Sequence, residues 1–332
     1  MRISIVIPNF NGLNFLKICL NSLERKFSEK LRINHLYIII IDNGSTDGSR
    51  EYLNDKLKNE NLKNITYNVL FNNINLGFSK AVNQGIKFSN SNDSTYICLL
   101  NNDVEITSDF FYYLVESIEK DDKIFSVSSK MLQYNNKDLI DDAGDEYTLL
   151  GWTKKSGDGL SSKNYSKSRE IFSSCAGAAL YRKSILNKIG YFDENFFAYM
   201  EDVDISYRAQ IYGYKNVYSP KAIVYHVGSG SSGSRYNEFK IKLAARNNIW
   251  LIYKNMPWPQ IVINIGFLFI GFLIKYLFFF KKGYGKLYLK GLREGISNRK
   301  KIDKIKFKSS NLKNYMRIEF RLILNTFKLI FK

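Results

Sequence analysis

Two adjacent acids, Glu201 and Asp202, stand at the start of a predicted helix and carry the clearest chemical signal in the chain. The aromatic run 197–200 precedes them, and a turn at Gly190 comes before that run. A carboxylate beside a cleft can take a proton from an attacking hydroxyl group. Acids in a first helical turn, Asp204 included, can instead complement the helix dipole without doing chemistry. The pattern predicts a base within this pair, and an acidic helix start is the alternative.

Asp103 and His226 are the candidate ligands of a divalent cation. Asp103 closes the run Leu-Leu-Asn-Asn-Asp after a predicted strand, and His226, one of two histidines, follows another strand-like run. A carboxylate binds hard cations that bridge a diphosphate, and a neutral imidazole can join it on the metal. Ordinary turn chemistry for Asp103 and a structural role for His226 are the alternatives. The Gly- and Ser-rich stretch 228–234 is predicted to be a flexible loop that could contact phosphate oxygens.

Two further motifs suggest a nucleotide site. Asp42 opens the run Asp-Asn-Gly-Ser-Thr-Asp-Gly-Ser. A carboxylate at a strand end can accept the N3–H of a uracil or thymine ring, and glycines allow the backbone to turn tightly there. Gly77 stands at a predicted helix start, where exposed N–H groups favour an anionic or polar ligand edge. A capped turn and an ordinary capped helix are the respective alternatives.

Strands and helices alternate along the first part of the chain. Short apolar runs predict the strands, and apolar residues at helical spacing predict the helices. This alternation is typical of βαβ units in an open parallel sheet, whose ligands bind beyond the carboxyl ends of the strands. The polar motifs at 9–12, 42–48 and 101–103 each follow a strand in that way. The predicted strands are 3–7, 36–41, 65–71 and 96–100, and the predicted helices are 13–27, 49–58, 78–88 and 236–254.

The polar stretch 135–170 is predicted to form a long loop or a small hairpin excursion. The three cysteines, Cys19, Cys98 and Cys175, lie far apart and form no CxxC pair. Their spacing suits a reducing compartment and argues against a disulfide framework or a zinc ribbon. The first apolar run is too short for a signal peptide, so we expect the protein not to be secreted.

Residues 256–332 are expected to form a helical, membrane-associating tail after a first domain of residues 1–255. The nearly continuous apolar stretch 261–280 is long enough to span a bilayer, and 312–332 has the mixed basic and apolar character of a surface-lying amphipathic helix. From residue 275 onward, 17 Lys and Arg stand against 3 Asp and Glu, so this segment carries +14 of the chain's net charge of +18. Such asymmetry indicates an anionic membrane surface or nucleic acid as partner. Basic residues that alternate with Ile, Leu and Phe favour the membrane.

Taken in order, the motifs resemble glycosyltransferase family 2, and most closely its bacterial rhamnosyltransferase-like branch. The likeness runs from Ile5-Val-Ile-Pro-Asn-Phe-Asn-Gly to about Asn248. The resemblance implies an α/β protein of the GT-A type, with a mostly parallel nucleotide-binding sheet flanked by helices. It also implies a nucleotide-diphosphate sugar donor, a divalent metal and inversion at the anomeric carbon.

The resemblance implies roles for individual residues as well. Asp202 matches the base of the family's Glu-Asp motif, and Glu201 matches its partner. Asp103 matches the last acid of the Asp-x-Asp metal motif, and His226 matches a histidine that completes the metal shell in some relatives. Asn101 stands at the first acid position of that motif, where an amide is a poorer ligand for a hard cation. The residues expected to bind the nucleotide sugar are Pro8, Asn9, Phe10, Asp42, Asn75, Gly77 and Asn102.

These observations predict an inverting glycosyltransferase that moves rhamnose or another hexose from a dTDP- or UDP-sugar to a hydroxyl of a glycan or lipid-linked acceptor. We expect it to use Mg²⁺ or Mn²⁺ and to act in cell-surface polysaccharide synthesis. Its expected place is the cytoplasmic face of the cell membrane, either peripheral or with one C-terminal membrane segment, and without a nucleic-acid partner. The alternatives are a non-catalytic nucleotide-sugar binding protein, which Asn101 favours, and a nucleic-acid-binding protein that acts through the basic tail.

Overall fold

The computed structural model describes residues 1–26, 35–58, 64–228 and 237–331. The predicted flexible loop 228–234 lies outside the described residues except for Gly228. The first residue of the helix predicted over 236–254 lies outside them as well.

The described residues form twelve strands, ten of them in one sheet. In chain order the strands are β1 (Arg2–Asn9), β2 (His35–Asp42), β3 (Ile65–Phe71), β4 (Tyr96–Leu100), β5 (Val104–Ile106), β6 (Ile124–Gln133), β7 (Ile140–Asp142), β8 (Asp145–Tyr147), β9 (Thr153–Lys155), β10 (Arg169–Ile171), β11 (Ala178–Arg182) and β12 (Lys215–His226). Hydrogen bonds order the sheet as β10-β12-β6-β11-β4-β1-β2-β3, with β5 paired to β12 and β7 paired to β6. Strands β8 and β9 form a separate hairpin.

Ten α-helices accompany these strands within the described residues. They are α1 (Leu13–Lys26), α2 (Ser49–Lys58), α3 (Phe78–Phe88), α4 (Phe110–Ile118), α5 (Lys183–Ile189), α6 (Glu201–Ile211), α7 (Glu238–Asn255), α8 (Trp258–Lys281), α9 (Gly285–Ser297) and α10 (Leu312–Ile330). Each of the four predicted strands and four predicted helices is present; β3, β4, α2 and α3 have the predicted ends, and the ends of the others differ by at most two residues.

One half of the sheet is parallel and the other half is mixed. Strand β1 pairs in parallel with β2 and β4, and β2 pairs in parallel with β3. The register sets Asn9 beside Asp42, so the polar residues that end β1 and β2 meet at one edge. Strand β11 runs antiparallel between β4 and β6. The predicted α/β architecture is confirmed, and the antiparallel strands of the second half are the part that the sequence did not indicate.

Both faces of the sheet are buried, which explains the near-continuous apolar runs of β1 and β2. Neighbouring side chains of a strand point to opposite faces. Ile5 packs with Leu16 of α1 on one face. Val6 and Ile41 pack with Val82 of α3 on the other. Full burial of an aliphatic side chain of this size is worth about 1.5–3 kcal/mol, so strands buried on both sides fix the helices above and below them.

The stretch 135–170 folds into strands and is not a long loop. It contributes β7 and β10 to the main sheet and also forms the β8–β9 hairpin. The backbone N–H of Asp145 donates to the carbonyl oxygen of Ser173 at 2.9 Å and ties the hairpin to the chain before β11. Of the two predicted forms, the hairpin excursion is the one that occurs.

The C-terminal helices share a hydrophobic core with the first part of the chain. Helix α9 packs on α7, and α10 packs on α6. Tyr207 of α6, Trp250 of α7 and Leu322 of α10 belong to one buried cluster. Within the described residues, α8 is the helix that is long and apolar enough to cross a membrane, by length and composition alone. The division into domains 1–255 and 256–332 stays a prediction.

We predict that Gly85→Ala lowers stability because α3 lies close against the sheet. A Cβ at Gly85 would overlap Val6 Cγ1 and lie 2.8 Å from Ile41 Cδ1. Gly266 in α8 is the matched control, since a Cβ there meets nothing within 4 Å. Both substitutions gain the same helix propensity, so their difference isolates overpacking, which costs about 1–3 kcal/mol. Chemical denaturation of both variants measures it, and equal unfolding free energies would contradict the packing.

Candidate active site

A cavity of about 1490 Å³ opens beyond the carboxyl ends of β1, β2 and β4. Ligand pockets commonly measure about 300–1,000 Å³, so the cavity has room for more than one small ligand. The predicted base region and the predicted metal ligands lie on its walls together. The predicted site residues that line it are Pro8, Asn9, Phe10, Asn75, Gly77, Asn102, Asp103, Glu201, Asp202 and His226.

Asp42 is the predicted site residue that does not line the cavity. Its side chain is fully buried. The carboxylate accepts hydrogen bonds from Asn9 Nδ2 and from the backbone N–H of Ser45, each at 3.1 Å. Arg50 Nε lies 4.0 Å away. In this geometry Asp42 ties the ends of β1 and β2 together, and its contact with a pyrimidine ring stays a prediction.

Two buried amides organise the wall next to Asp42. Asn102 Nδ2 donates to Asn9 Oδ1 at 2.7 Å, so each amide fixes the orientation of the other. Gly12 packs directly on this pair, so closely that a Cβ at this position would overlap the Asn102 amide. The first loop of the chain can therefore approach the end of β4 closely, and both side chains are held at the cavity wall.

Asn43 is a cavity residue to which the sequence analysis assigned no role. Its Nδ2 donates to Asn75 Oδ1 at 2.9 Å and to the carbonyl oxygen of Gly77 at 3.2 Å. Gly77 has φ +85°, and a Cβ there would lie 2.6 Å from the Phe197 ring. Only glycine suits such a position. The start of α3 therefore contacts the aromatic turn that precedes the two acids.

The aromatic turn 197–200 has a backbone that residues other than glycine rarely adopt. Three of its residues have φ between 65° and 72°, and such conformations cost about 1–3 kcal/mol each. Asn247 of α7 offsets this cost: its Nδ2 lies 2.8–2.9 Å from the carbonyl oxygens of Phe196, Ala198 and Tyr199. These hydrogen bonds from Asn247 fix the direction in which α6 begins. They therefore also fix the direction of the acids in its first turn.

Asp202 faces the cavity from the first turn of α6. Its carboxylate accepts hydrogen bonds from the backbone N–H groups of Val203, at 2.8 Å, and Ala176. Burial raises the pKa of Asp202, while these donors and Lys155 oppose that effect. Burial and the charge of Asp202 raise the pKa of Glu201 well above its usual range, and Glu201 Oε2 is buried without a hydrogen-bond partner. The pKa of both acids is raised, and Asp202 is the acid whose carboxylate faces several backbone donors, which suits a general base.

Asp204 has a structural role and lies outside the cavity lining. Its carboxylate contacts Lys254 Nζ at 3.0 Å, Arg208 Nε at 3.1 Å and Asn255 Nδ2 at 2.8 Å. Burial raises the pKa of Asp204, but Lys254 and Arg208 outweigh that effect and hold the pKa below its usual value. This buried network joins α6 to α7, so Asp202 and Asp204, two residues apart on the same helix, have different roles.

Asp103 and His226 form a second pair in the cavity lining. His226 Nε2 lies 3.3 Å from Asp103 Oδ1, and His226 Nδ1 lies 2.8 Å from Asp141 Oδ2. Burial lowers the pKa of His226, but the two carboxylates outweigh it and raise the pKa to about 9. Asp103 Oδ1 is buried without a well-aligned hydrogen bond. A histidine whose far nitrogen is held by a carboxylate is the usual arrangement of a metal-binding imidazole.

The pair alone does not complete a metal shell. The described residues contain no group of three or more His, Cys, Asp or Glu that could hold a metal ion. Asn101, at the first position of the Asp-x-Asp pattern, lines the cavity as an amide. Two protein ligands leave the other coordination positions to water or to a substrate, which is common for magnesium sites that hold phosphates.

Three cavity residues of the stretch 135–170 were missed by the sequence analysis: Asp141, Asp145 and Lys155. Lys155 Nζ lies 3.3 Å from Asp141 Oδ2. Burial lowers the pKa of Lys155, but Asp142 and Asp141 outweigh it and raise the pKa. Burial raises the pKa of Asp142 to about 6 and that of Asp145 well above its usual range. Three acids within residues 141–145 were the sequence signal that could have indicated a site here. The prediction of a loop or a small hairpin over this stretch gave them no role.

The chain belongs to glycosyl transferase family 2, whose sequence pattern matches residues 4–190. Poly-beta-1,6-N-acetyl-D-glucosamine synthase of Staphylococcus epidermidis is 27% identical over 219 residues, which cover 64% of this chain and 49% of that protein. The Staphylococcus aureus protein of the same name is 27% identical over 226 residues, with 65% and 50% covered. The chain thus spans about half the length of the curated relatives it matches. These relatives support the family and not the rhamnosyltransferase-like branch.

Three solved structures share the fold. GalNAc-T7 with UDP, GalNAc and Mn²⁺ has a TM-score of 0.60 at 19% identity, covering 76% of this chain and 47% of its own. Mannosyltransferase PcManGT from Pyrobaculum calidifontis, with GDP-Man and Mn²⁺, has a TM-score of 0.56 at 11% identity, with 89% and 75% covered. S. aureus TarS 1-349 with UDP-GlcNAc has a TM-score of 0.52 at 20% identity, with 81% and 70% covered. At such identities the likeness concerns the fold, and the predicted GT-A type is confirmed.

We predict that Lys155→Met moves the acidic limb of the pH profile of kcat/KM to higher pH. The positive charge of Lys155 lowers the pKa of Asp202 and Asp142, so its removal raises both. A base works only when it is ionised. As the pH falls, the variant should therefore lose activity earlier, at a higher pH, than the wild type does. Profiles from about pH 5 to 9 measure the shift. Lys163→Met, at an exposed lysine outside the cavity lining, is the control, and superimposable profiles of all three proteins would contradict the role of Lys155.

Proposed function

We propose that the protein is an inverting glycosyltransferase that moves a sugar from a nucleotide-diphosphate sugar to a hydroxyl group of a glycan or lipid-linked acceptor. The observation that carries the proposal is the placing of Asp202 and the Asp103–His226 pair on the walls of one cavity. A base for the acceptor hydroxyl and a cation site for the departing diphosphate are what displacement at a sugar carbon requires. Membership of the family supports the same reaction class.

The donor that we propose first is a UDP-N-acetylhexosamine. The curated relatives are named for the synthesis of poly-beta-1,6-N-acetyl-D-glucosamine, and two structures of the same fold carry UDP or UDP-GlcNAc. A dTDP-hexose such as dTDP-rhamnose, one of the two donor classes that the sequence left open, is the second candidate. The relatives also support a product that belongs to a cell-surface polysaccharide.

Asp202 acts as the base in the proposed reaction. Its carboxylate takes the proton of the acceptor hydroxyl as that oxygen bonds to the anomeric carbon. The bond from this carbon to the diphosphate breaks on the opposite face, and the electron pair leaves with the diphosphate, so the configuration inverts. Glu201 lies beside it, and burial together with the charge of Asp202 raises the pKa of Glu201 well above its usual range. The amides of Asn9, Asn43 and Asn102 are held at the cavity wall, where they can orient the donor.

A divalent cation fits the Asp103–His226 pair. Asp103 Oδ1 is buried and lacks a well-aligned hydrogen bond, and Asp141 holds the far nitrogen of His226. When bound there, Mg²⁺ or Mn²⁺ would supply positive charge for the departing diphosphate. Carboxylates suit both ions, whereas imidazole is a better ligand for transition metals, so we propose Mn²⁺ first.

We also propose that the protein works at the cytoplasmic face of the cell membrane, with α8 and the basic tail as its means of attachment. The exposed apolar side chains of α8 support this location. They also argue against a nucleic-acid partner for the tail, since such partners are held mainly by phosphate contacts.

We predict that Asp202→Asn lowers the transfer rate by at least about 100-fold, because an amide cannot take the proton. Binding of UDP, measured by calorimetry, should stay within a few-fold of wild type. Sugar transfer to an acceptor, with release of UDP, measures the rate. Asp138→Asn, at an exposed acid outside the cavity lining, should be unaffected. If the wild-type protein binds the donor but transfers no sugar, it is the non-catalytic nucleotide-sugar binding protein instead.

We predict that UDP with Mn²⁺ raises the thermal midpoint more than UDP alone, since a bound ligand stabilises the folded state by mass action. Asp103→Asn should lose the Mn²⁺-dependent part of the rise and keep the part due to UDP. Asp122→Asn, at a fully exposed acid, should keep both parts. An Mn²⁺-dependent rise in the Asp103 variant as large as in wild type would place the metal elsewhere.

A further inference from the structure

Helix α8 has a reversed polarity, with polar residues facing the protein and apolar residues facing outward. Gln260, Asn264, Leu268 and Gly271 are its buried residues. Their spacing of three and four residues defines a single stripe along the helix. The other faces expose large apolar side chains, such as Ile263 at 71% and Phe269 at 68%. In water this arrangement is unfavourable, so the outer face of α8 needs an apolar partner.

The buried stripe of α8 makes specific polar contacts with the protein. Gln260 Nε2 and Asn264 Nδ2 both donate to Glu319 Oε2 of α10, at 2.7 and 3.0 Å. The hydroxyl of Tyr207 donates to Gln260 Oε1 at 3.2 Å. Further along, Trp152 Nε1 donates to the carbonyl oxygen of Gly271 at 3.0 Å. The protein thus holds α8 near its start and again past its middle.

The chain after α8 returns to the same body. Helix α9 packs on α7, and α10 packs on α6 and beside α8. At about 1.5 Å per residue, a helix of 24 residues is long enough to cross a bilayer. Crossing would nevertheless carry α9 and α10 to the side opposite α6 and α7, and would leave Glu319 and its partners in hydrocarbon. The contacts are compatible with a helix that lies in the plane of a membrane and not with one that spans it.

Helix α10 presents a second exposed apolar stripe beside α8. Glu319 lies between the buried and the exposed sides of α10 and faces α8 through its two hydrogen bonds. The large exposed apolar residues of α10 recur every three or four positions and so share one side of the helix. They are Leu312, Met316, Phe320, Leu324, Phe327 and Ile330.

Basic side chains frame the apolar surface of α8. Lys282 lies over the ring of Phe278 at the C-terminal end of the helix. Lys304 lies over Trp258, an exposed ring at the N-terminal end. Aromatic and basic residues at the border of an apolar face are typical of helices that lie in the headgroup region of anionic membranes.

We propose that α8 and α10 together form one membrane-binding surface, which lies flat on the anionic cytoplasmic leaflet with both ends of α8 on the same side. This inference rests on the proposed membrane location and specifies how the chain attaches. It also suggests how a lipid-linked acceptor reaches the cavity. Trp152 contacts α8, and the next residue, Thr153, lines the cavity. The wall of the cavity is therefore one residue away from the protein-facing side of α8, the helix whose outer face binds the membrane in this proposal.

Vesicle binding tests the surface. The full chain is mixed with vesicles of phosphatidylcholine and phosphatidylglycerol at about two to one, and with vesicles of phosphatidylcholine alone. We expect the wild type to float with the anionic vesicles and to bind the neutral ones more weakly. The variant Ile263→Glu/Phe320→Glu changes one residue of each helix and should bind the anionic vesicles at least 10-fold more weakly, because each carboxylate must enter the headgroup boundary.

The control Leu57→Glu/Tyr112→Glu has the same change of charge at exposed apolar residues of α2 and α4, and it should bind as the wild type does. Circular dichroism and unfolding midpoints check that both double variants fold. Equal binding of the α8/α10 variant and the wild type would overturn the assigned surface. A wild type that binds neither vesicle would overturn the membrane location as well, whereas the sugar-transfer reaction is judged separately by its own assay.

Thiol labelling distinguishes a helix in the membrane plane from one that spans. Lys281→Cys, at the end of α8, is produced in bacterial cells, and spheroplasts are treated with a membrane-impermeant maleimide. Both ends of an in-plane helix stay in the cytoplasm, so we expect labelling only after the spheroplasts are broken. Asp122→Cys, at a fully exposed position before β6, is the cytoplasmic control. Labelling of Lys281→Cys in intact spheroplasts, with Asp122→Cys protected, would show that α8 spans and would overturn the proposal.

Discussion

The hydrogen bonds from Asn247 to the turn 197–200 are the constraint on which the site depends. Three residues of the turn that are not glycine have positive φ. Such a conformation persists only where surrounding contacts hold it. Because the turn leads directly into α6, its geometry decides the direction of every side chain in the first helical turn. Asp202 consequently faces the cavity, and Asp204 faces the buried Lys254 and Arg208.

Burial gives the carboxylates around the cavity different properties. The pKa of Glu201, Asp145 and Asp142 is raised because desolvation penalises the ionised form. Asp141 has its pKa lowered to about 2, because its bonds to His226 and Lys155 outweigh its burial. The acids around the cavity therefore include three with a raised pKa and one, Asp141, with a lowered pKa. Such separation of neighbouring carboxylates is what lets one site contain both a base and a cation-binding group.

Much of the fold could be predicted because local pattern and tertiary environment agree. Strands buried on both faces are continuous apolar runs, and each ends at a polar motif, so β3 and α2 have the predicted bounds. The antiparallel β11 and the hairpin β8–β9 could not be predicted in this way, since their pairing partners are distant in sequence. The prediction of a long loop or a small hairpin excursion over 135–170 gave no role to Asp141, Asp145 and Lys155, although their charges were plain in the sequence.

The sequence by itself determined the α/β class and the family, and ten of its eleven predicted site residues line the cavity, because polar residues that follow parallel strands gather at one edge of the sheet. Only the tertiary structure decided which member of an acidic run faces the cavity, since residues two apart on a helix point in different directions. It also decided how the apolar stretch 261–280 is used. Composition describes a membrane span equally well, and only the contacts of Gln260 and Asn264 with Glu319 show that one side of the helix is occupied by the protein itself.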